Sequence, residues 1–431
     1  MAKPLSEGLE VPQNGPKKKS WAYVPTLYFC EGLPYEIVNN LSTIIYKNQG
    51  VSNALIGQYT SLLSLPWTIK PLWSPLVDLF LTKRKWILIT EILLAVLIGG
   101  VALTLQMPQF FALSLLLFFM TAFVSATHDI AVDGYYMLTL SSRGQAFYTG
   151  IRSTFYKVAK IAASGGMVVW AGHLIKTGTG ITQSWMIVLG AAAAAYFLLG
   201  LFHLFYLPHP EGNTRGERRA EPLKWTDFLE PFRTYFAHEK IIPILAFILL
   251  YRLGEGMLTR MINPFLLDPV AQGGLGLDTE MVGMVYGTIG ISGLFVGGIL
   301  GGMVISRFGL RRCLWPMAFA IHLPNLAFVY MSTHVPNVTL VSLLVATEQL
   351  GYGFGYTAFT VFLMSITGER FKTAHFAIST GLMALGMMVP GILSGYLQQA
   401  LGYHMFFIVV CLATVPSFFT LFFIPLPDEK N

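Results

Sequence analysis

Charge is scarce in this chain: only 12% of its 431 residues are Asp, Glu, Lys or Arg, while 54% are hydrophobic. A soluble domain carries about a quarter charged residues, so the composition excludes an ordinary water-soluble domain. Cysteine is nearly absent. Cys30, Cys313 and Cys411 are odd in number and fall in or beside apolar runs, which argues against a disulfide framework or a zinc site. No nucleotide loop, metal-ligand helix motif or nucleophile elbow occurs. An embedded enzyme is therefore unsupported, and neither a cofactor nor a metal is expected. No cleavable signal is read at the start: the first residues are polar, end in Lys17-Lys18-Lys19-Ser20 and run into a full-length span, which is expected to stay. The short tails are expected to be too small for a signalling domain.

Long apolar runs fill the rest. A bilayer span needs about 20 mostly apolar residues, and twelve stretches qualify: roughly 21–46, 54–81, 86–106, 109–140, 144–175, 182–207, 241–267, 279–305, 313–332, 338–366, 373–400 and 403–425. The odd-numbered gaps carry only Lys47 and Lys176. The tails carry Lys3, Lys17, Lys18, Lys19 and Lys430. The even-numbered gaps carry Lys83, Arg84, Lys85, Arg143, Arg215, Arg218, Arg219, Lys224, Arg233, Lys240, Arg307, Arg311, Arg312, Arg370 and Lys372. Positive residues favour the cytoplasmic side of short loops, so both termini are expected there. The net charge of +6 follows from this orientation and implies no nucleic-acid partner.

Residues 208–240 are charged and separate six spans from six. The reading is an all-α membrane protein of twelve transmembrane helices, with halves at 1–207 and 241–431 joined by a 208–240 linker. Trp225–Phe236 is either an amphipathic surface segment or part of a flexible connector. The halves repeat each other: Glu31-Gly32 recurs as Glu255-Gly256, and Asn39 as Asn263 at the same offset. Ser74–Lys85 closes the second span and Gly302–Arg312 the eighth. Both resemble the loop motif of the major facilitator superfamily, in which a Gly, an acid and a basic cluster tie neighbouring helix ends together. Here Ser74 replaces the Gly of the first copy, and Ser306 the acid of the second. Six-plus-six repeats place substrate between the halves near the midplane.

Ionisable groups inside spans are costly and usually face a cavity or each other. The bases are Lys70, Arg152, Lys157, Lys160, Arg252 and Arg260; the acids at depth are Glu31, Glu36, Asp129, Asp133, Glu255 and Glu348. Asp78 and Glu91 lie nearer the span ends. Asp129 and Asp133, four apart, share a helix face, and Arg252 and Glu255, three apart, are placed to pair. Mutual neutralisation accounts for some of these charges, but their number favours a polar cavity. Its bases would hold an anionic substrate, and an acid that changes protonation would couple transport to protons. His128, beside Asp129, is a further candidate proton carrier, with a structural role as the alternative. Pro34 in the first span, and Pro66, Pro71 and Pro75 in the second, are expected to kink their helices. Gly297, Gly298, Gly301 and Gly302 in the eighth, with Gly351, Gly353 and Gly355 in the tenth, predict close packing. Trp21, Tyr23 and Tyr28 read as interfacial anchors.

Three runs, KPLWSPLVD (Lys70–Asp78), SATHDIAVDGY (Ser125–Tyr135) and GYGFGYTAFTVFLMSITGERFKTAHFAIST (Gly351–Thr380), resemble the AmpG-type muropeptide permease family, in the peptide/acetyl-CoA transporter branch of the superfamily. The family commonly has Gln where this chain has His128, and Ala where it has Gly134; Tyr135 keeps the usual aromatic. The Gly is closer to the acetyl-CoA transporters of the branch. The resemblance implies proton-driven import of anhydromuropeptides, products of cell-wall turnover, across a bacterial cytoplasmic membrane. The alternative is another anionic metabolite, such as acetyl-CoA or a siderophore. Substrate contacts are expected from Lys70, Arg152, Lys157, Arg252 and Tyr135, and proton coupling from Glu31, Asp129, Asp133, Glu255 and His128.

Overall fold

The computed structural model describes residues 20–140, 142–209, 225–368 and 371–426, and these are helical apart from short connections. Eight helices are long and apolar enough to cross a bilayer: Lys83–Thr104, Phe110–Thr139, Phe147–Lys176, Ile181–Tyr206, Ile241–Leu267, Thr279–Phe308, Leu310–His334 and Ala374–Thr420. The last is two crossings, because Gly402 breaks it at φ 72°, ψ 167°. Three more crossings, at 20–48, 53–79 and Val338–Ser365, are interrupted or less apolar. The pattern of twelve is thus the pattern of the fold. Several helix starts are fixed by side-chain caps: Thr82 accepts from the Lys85 amide at 3.3 Å and Asn337 from that of Leu340 at 2.9 Å.

We call the end of the bundle that carries residues 20, 83 and 420 the near end, and the opposite one the far end. At the near end the apolar core is split. Tyr23, Ile87, Val132 and Leu207 form one cluster of the first half, and Ile244, Phe247, Leu314 and Phe359 a separate cluster of the second. A single larger cluster joins the halves elsewhere, uniting Ile45 and Val168 with Phe265, Val282 and Tyr403. Polar bonds follow the same division. Lys47 pairs with Asp268, whose Oδ2 also accepts from Tyr403 at 2.6 Å and Asn53 at 3.1 Å; Asn53 further donates to Gln398 at 2.8 Å. Lys176 pairs with Asp278 and Glu280 at 3.1 and 2.9 Å. The halves are sealed to each other at the far end. There the fifth and eighth helices touch backbone to backbone: a Cβ on Gly287 would stand 1.7 Å from the Ser164 carbonyl oxygen.

Several helices are irregular. The first holds a π-turn at Ile37–Leu41, the fifth at Ala162–Met167 and the eighth at Gly283–Gly290. The second breaks after Leu62 and again at the 3₁₀ turn Lys70–Leu72, and the seventh at Tyr251-Arg252. Pro34 leaves the first helix unbroken. It has no N–H for the Cys30 carbonyl, and that carbonyl accepts instead from the Tyr196 hydroxyl at 2.7 Å.

Two expectations are corrected, and one left open is narrowed. Of the three aromatic anchors only Trp21 is exposed; Tyr23 packs edge-on against Tyr135, and Tyr28 is buried with its hydroxyl on an ion pair. Gly297 and Gly353 do lie against the backbones of the tenth and eighth helices, but Gly302 meets nothing within 4 Å. Trp225–Phe236 is a helix, and it docks on the eleventh crossing through Tyr235 to Ser379 at 2.9 Å and Thr234 to His375 at 3.0 Å. In the first loop motif, Arg84 donates to the carbonyls of Leu204 and Leu207 at 2.5 and 3.1 Å, capping the sixth helix; the Asp78 side chain lies outside the described residues.

Candidate functional site

Most in-span charges form a ladder of ion pairs, each within one half. Nearest the near end, Asp133 accepts from Tyr28 at 2.9 Å and pairs with Arg152 at 3.4 Å. Arg152 also donates to the Tyr28 hydroxyl at 3.0 Å, and its guanidinium stacks 5.0 and 5.3 Å from the rings of Tyr28 and Tyr136. Both side chains of this pair are about two-fifths exposed (38% and 43%). Lipid is a poor environment for such charge, which argues for a wetted opening beside this pair.

Deeper in, Lys70 at the break of the second helix reaches Asp129 at 3.7 Å. Glu31 sits within the field of Lys70, Arg152, Asp129 and Asp133. Two buried carboxylate oxygens here, Glu31 Oε2 and Asp129 Oδ1, have no hydrogen-bond partner among the described residues. At the π-turn of the first helix the Glu36 carboxylate is fully buried. It accepts from Ser164 at 2.6 Å and from Asn40, and pairs with Lys160 at 3.4 Å. The π-turn Ile37–Leu41 directly follows Glu36 and contains Asn40, so the helix irregularity coincides with this buried polar group.

In the second half, Arg252 grips Glu255 through two bonds, Nη2 to Oε1 at 2.9 Å and Nε to Oε2 at 3.3 Å. It also donates to the Tyr352 hydroxyl, and the Tyr356 ring lies 4.8 Å from its guanidinium carbon. Arg260 donates to the Asn39 carbonyl at 2.8 Å and to Ser64 Oγ at 2.9 Å, crossing between the halves. Lys157 lies 4.4 Å over the Phe295 ring of the eighth helix and meets no carboxylate among the described residues. Aromatic rings line the same level: Tyr35 packs on Trp67 at 4.9 Å and on Tyr156 at 6.3 Å.

Lys70, Arg152, Glu31, Asp129 and Asp133 thus come together in the first half, and Arg252 with Glu255 in the second. Two residues expected beside them stand apart. Tyr135 is fully buried, with its hydroxyl on the Pro208 carbonyl at 2.8 Å. His128 is fully buried and turned toward the third helix, its Nδ1 3.0 Å from Thr90 Oγ1. Gly134 is also away from the opening: an added Cβ would meet the flexible Lys83 side chain at 2.7 Å. The positions at which the chain departs from the AmpG pattern therefore bear on helix packing in the first half.

Sequence reasoning missed a second convergence. Cys30, Glu91 and His203, from the first, third and sixth helices, are all buried with one ligand atom each within 4.8 Å of one another. His203 Nδ1 lies 2.6 Å from Glu91 Oε1, and its Nε2 2.9 Å from Thr26 Oγ1. Among the described residues this is the set whose donor types suit a divalent metal. Three unconnected positions left no spacing signal for it.

Comparison with known proteins completes the description of the site. The family model for the Major Facilitator Superfamily matches residues 26–389. An uncharacterized protein of Haemophilus influenzae is 26% identical over 419 residues, covering 94% of each chain. The anhydromuropeptide permease of Escherichia coli is 26% identical over 405 residues, covering 92% of this chain and 77% of that one. Among solved structures, the nucleoside transporter NupG superposes with a TM-score of 0.71 at 15% identity, covering 95% of this chain and all of that one (100%). A D-xylose–proton symporter gives 0.70 at 14% identity, covering 94% and 97%. These two likenesses establish the fold.

Proposed function

The chain belongs to the Major Facilitator Superfamily, and on that premise we propose that it is a proton-coupled importer of anhydromuropeptides working by alternating access. Its work is transport, with no enzymatic step. The observation that carries this reading is the ladder of acid–base pairs flanked by tyrosines and tryptophan. Sugar rings stack on aromatic faces, and the free carboxylates of the peptide take charge-assisted bonds from Lys and Arg. Similarity over 92% of this chain and 77% of a protein named anhydromuropeptide permease supports the substrate class.

The halves 1–207 and 241–431, joined through 208–240, rock about this belt. The near end is cytoplasmic, with both termini there, in a bacterial inner membrane. The bond pattern then represents the inward-facing state, closed outside by Lys47–Asp268 and its neighbours. Lys70, Arg152, Lys157 and Arg252 contact the substrate. Proton coupling falls on Glu31 and Asp129, whose unpartnered buried oxygens are places where a proton would remove the cost of an uncompensated charge, with Asp133 and Glu255 as their ion-paired neighbours. Tyr135 and His128 support the first half from behind.

Uptake into proteoliposomes tests the proposal. Labelled anhydromuropeptide should accumulate under an inward proton gradient, and a protonophore should abolish the accumulation. Accumulation of acetyl-CoA or a siderophore in its place would assign the rival substrate. Accumulation that survives the protonophore would remove the proton as driver.

A further inference from the structure

We infer that Arg260 is the receptor for a carboxylate of the transported molecule, an inference that rests on the anionic-substrate reading above. The repeat that relates Glu31 to Glu255 and Asn39 to Asn263 also relates Glu36 to Arg260. The two halves therefore carry opposite charges at one equivalent place in the membrane. In the first half the charge is satisfied internally, because Lys160 of the fifth helix pairs with Glu36. The counterpart of the fifth helix in six-plus-six order is the eleventh, and it faces Arg260 with Gly391. A Cβ built there would lie 3.3 Å from Arg260 Cγ and 2.5 Å from Ser61 Oγ. No acid is supplied.

Arg260 accordingly has only neutral acceptors, the Asn39 carbonyl and Ser64 Oγ, and makes no ion pair among the described residues. Glu348, the other in-span acid of this half, is held by Gln349 at 2.9 Å and makes no ion pair either. Lys70, Arg152, Lys160 and Arg252 each have a carboxylate from their own half. Arg260 is half-buried, and two of its five N–H donors suffice for the bonds it makes. An uncompensated guanidinium at this depth is expensive. A clasp between the halves needs hydrogen bonds and not a full charge, so the charge itself points to an anion that comes and goes. The planar fork suits a carboxylate in two-pronged contact.

The test compares binding of an anhydromuropeptide with that of the same molecule carrying amidated carboxylates, by calorimetry on purified full-length protein. Wild type should prefer the free acid by roughly ten- to a hundred-fold, the worth of a charge-assisted bond. In Arg260→Gln that preference should fall by about tenfold, the other bases supplying what remains, while affinity for the amide is unchanged. Arg260→Lys keeps the charge without the fork and should retain part of the preference; it also serves if the Gln variant fails to fold. Full acid preference in either variant overturns the assignment. If wild type binds neither form but binds another carboxylate ligand, such as a siderophore, the muropeptide reading falls alone, and the acid–amide comparison on that ligand decides Arg260. Absence of acid preference in every ligand that binds also overturns it.

Discussion

Two ion pairs in the ladder carry the same charges and differ in burial, so they should respond differently to the same perturbation. Glu36 is fully buried (0% exposed), and Lys160 is 23% exposed at 3.4 Å from it. Breaking one side of a buried pair costs about 3–5 kcal/mol. Partial exposure of Lys160 lets water recover some of this, so Glu36→Gln should cost about 2–3 kcal/mol. Lys160→Met in that background removes the orphaned charge and should restore at least half. Asp133 and Arg152 are 43% and 38% exposed, so Asp133→Asn should cost at most about 1 kcal/mol while still lowering transport. Unfolding free energies from detergent titration in mixed micelles, arranged as double-mutant cycles, give each number. Equal costs for the two pairs, or strict additivity for Glu36 and Lys160, would refute burial as the deciding variable.

Asp268→Asn removes a charge that Lys47, Asn53 and Tyr403 share across the far-end seal. It should widen the distance between spin labels at positions 50 and 400 in a larger fraction of molecules, and an unchanged distance distribution would count against this seal as a lock. Single cysteines placed in the 268–278 loop of a Cys-free variant should react with impermeant reagents in intact cells, whereas those in the 208–240 linker should not. Reaction at the linker would reverse the orientation.

Span positions and the presence of interior charge were legible because hydropathy is a property of single segments. Ion-pair partners were less so: Lys160 meets Glu36 and Lys70 meets Asp129 across helices whose rotation depends on packing. Part of the arrangement was nevertheless available. Asp129 and Asp133 share a face, so His128, one residue before, is turned by about 100° and Tyr135, two after, by about 200°. Neither belongs on the face of the two acids, and both are found buried elsewhere. The same holds for Arg260, whose equivalence to Glu36 follows from the repeat offset alone. The Cys30–Glu91–His203 meeting was invisible, since nothing in three separate helices encodes their azimuths.

The contact of Gly287 with the Ser164 carbonyl leaves no room for even one carbon atom. A methyl group there would act as a wedge with a known direction. It penalises only the arrangement in which the fifth and eighth helices touch, so it transfers population to arrangements in which they are apart. A penalty of about 3 kcal/mol would shift such an equilibrium by more than a hundredfold. Under the alternating access proposed above, Gly287→Ala is therefore a means of holding the protein in its opposite conformation without a ligand, and of obtaining that conformation for structural study.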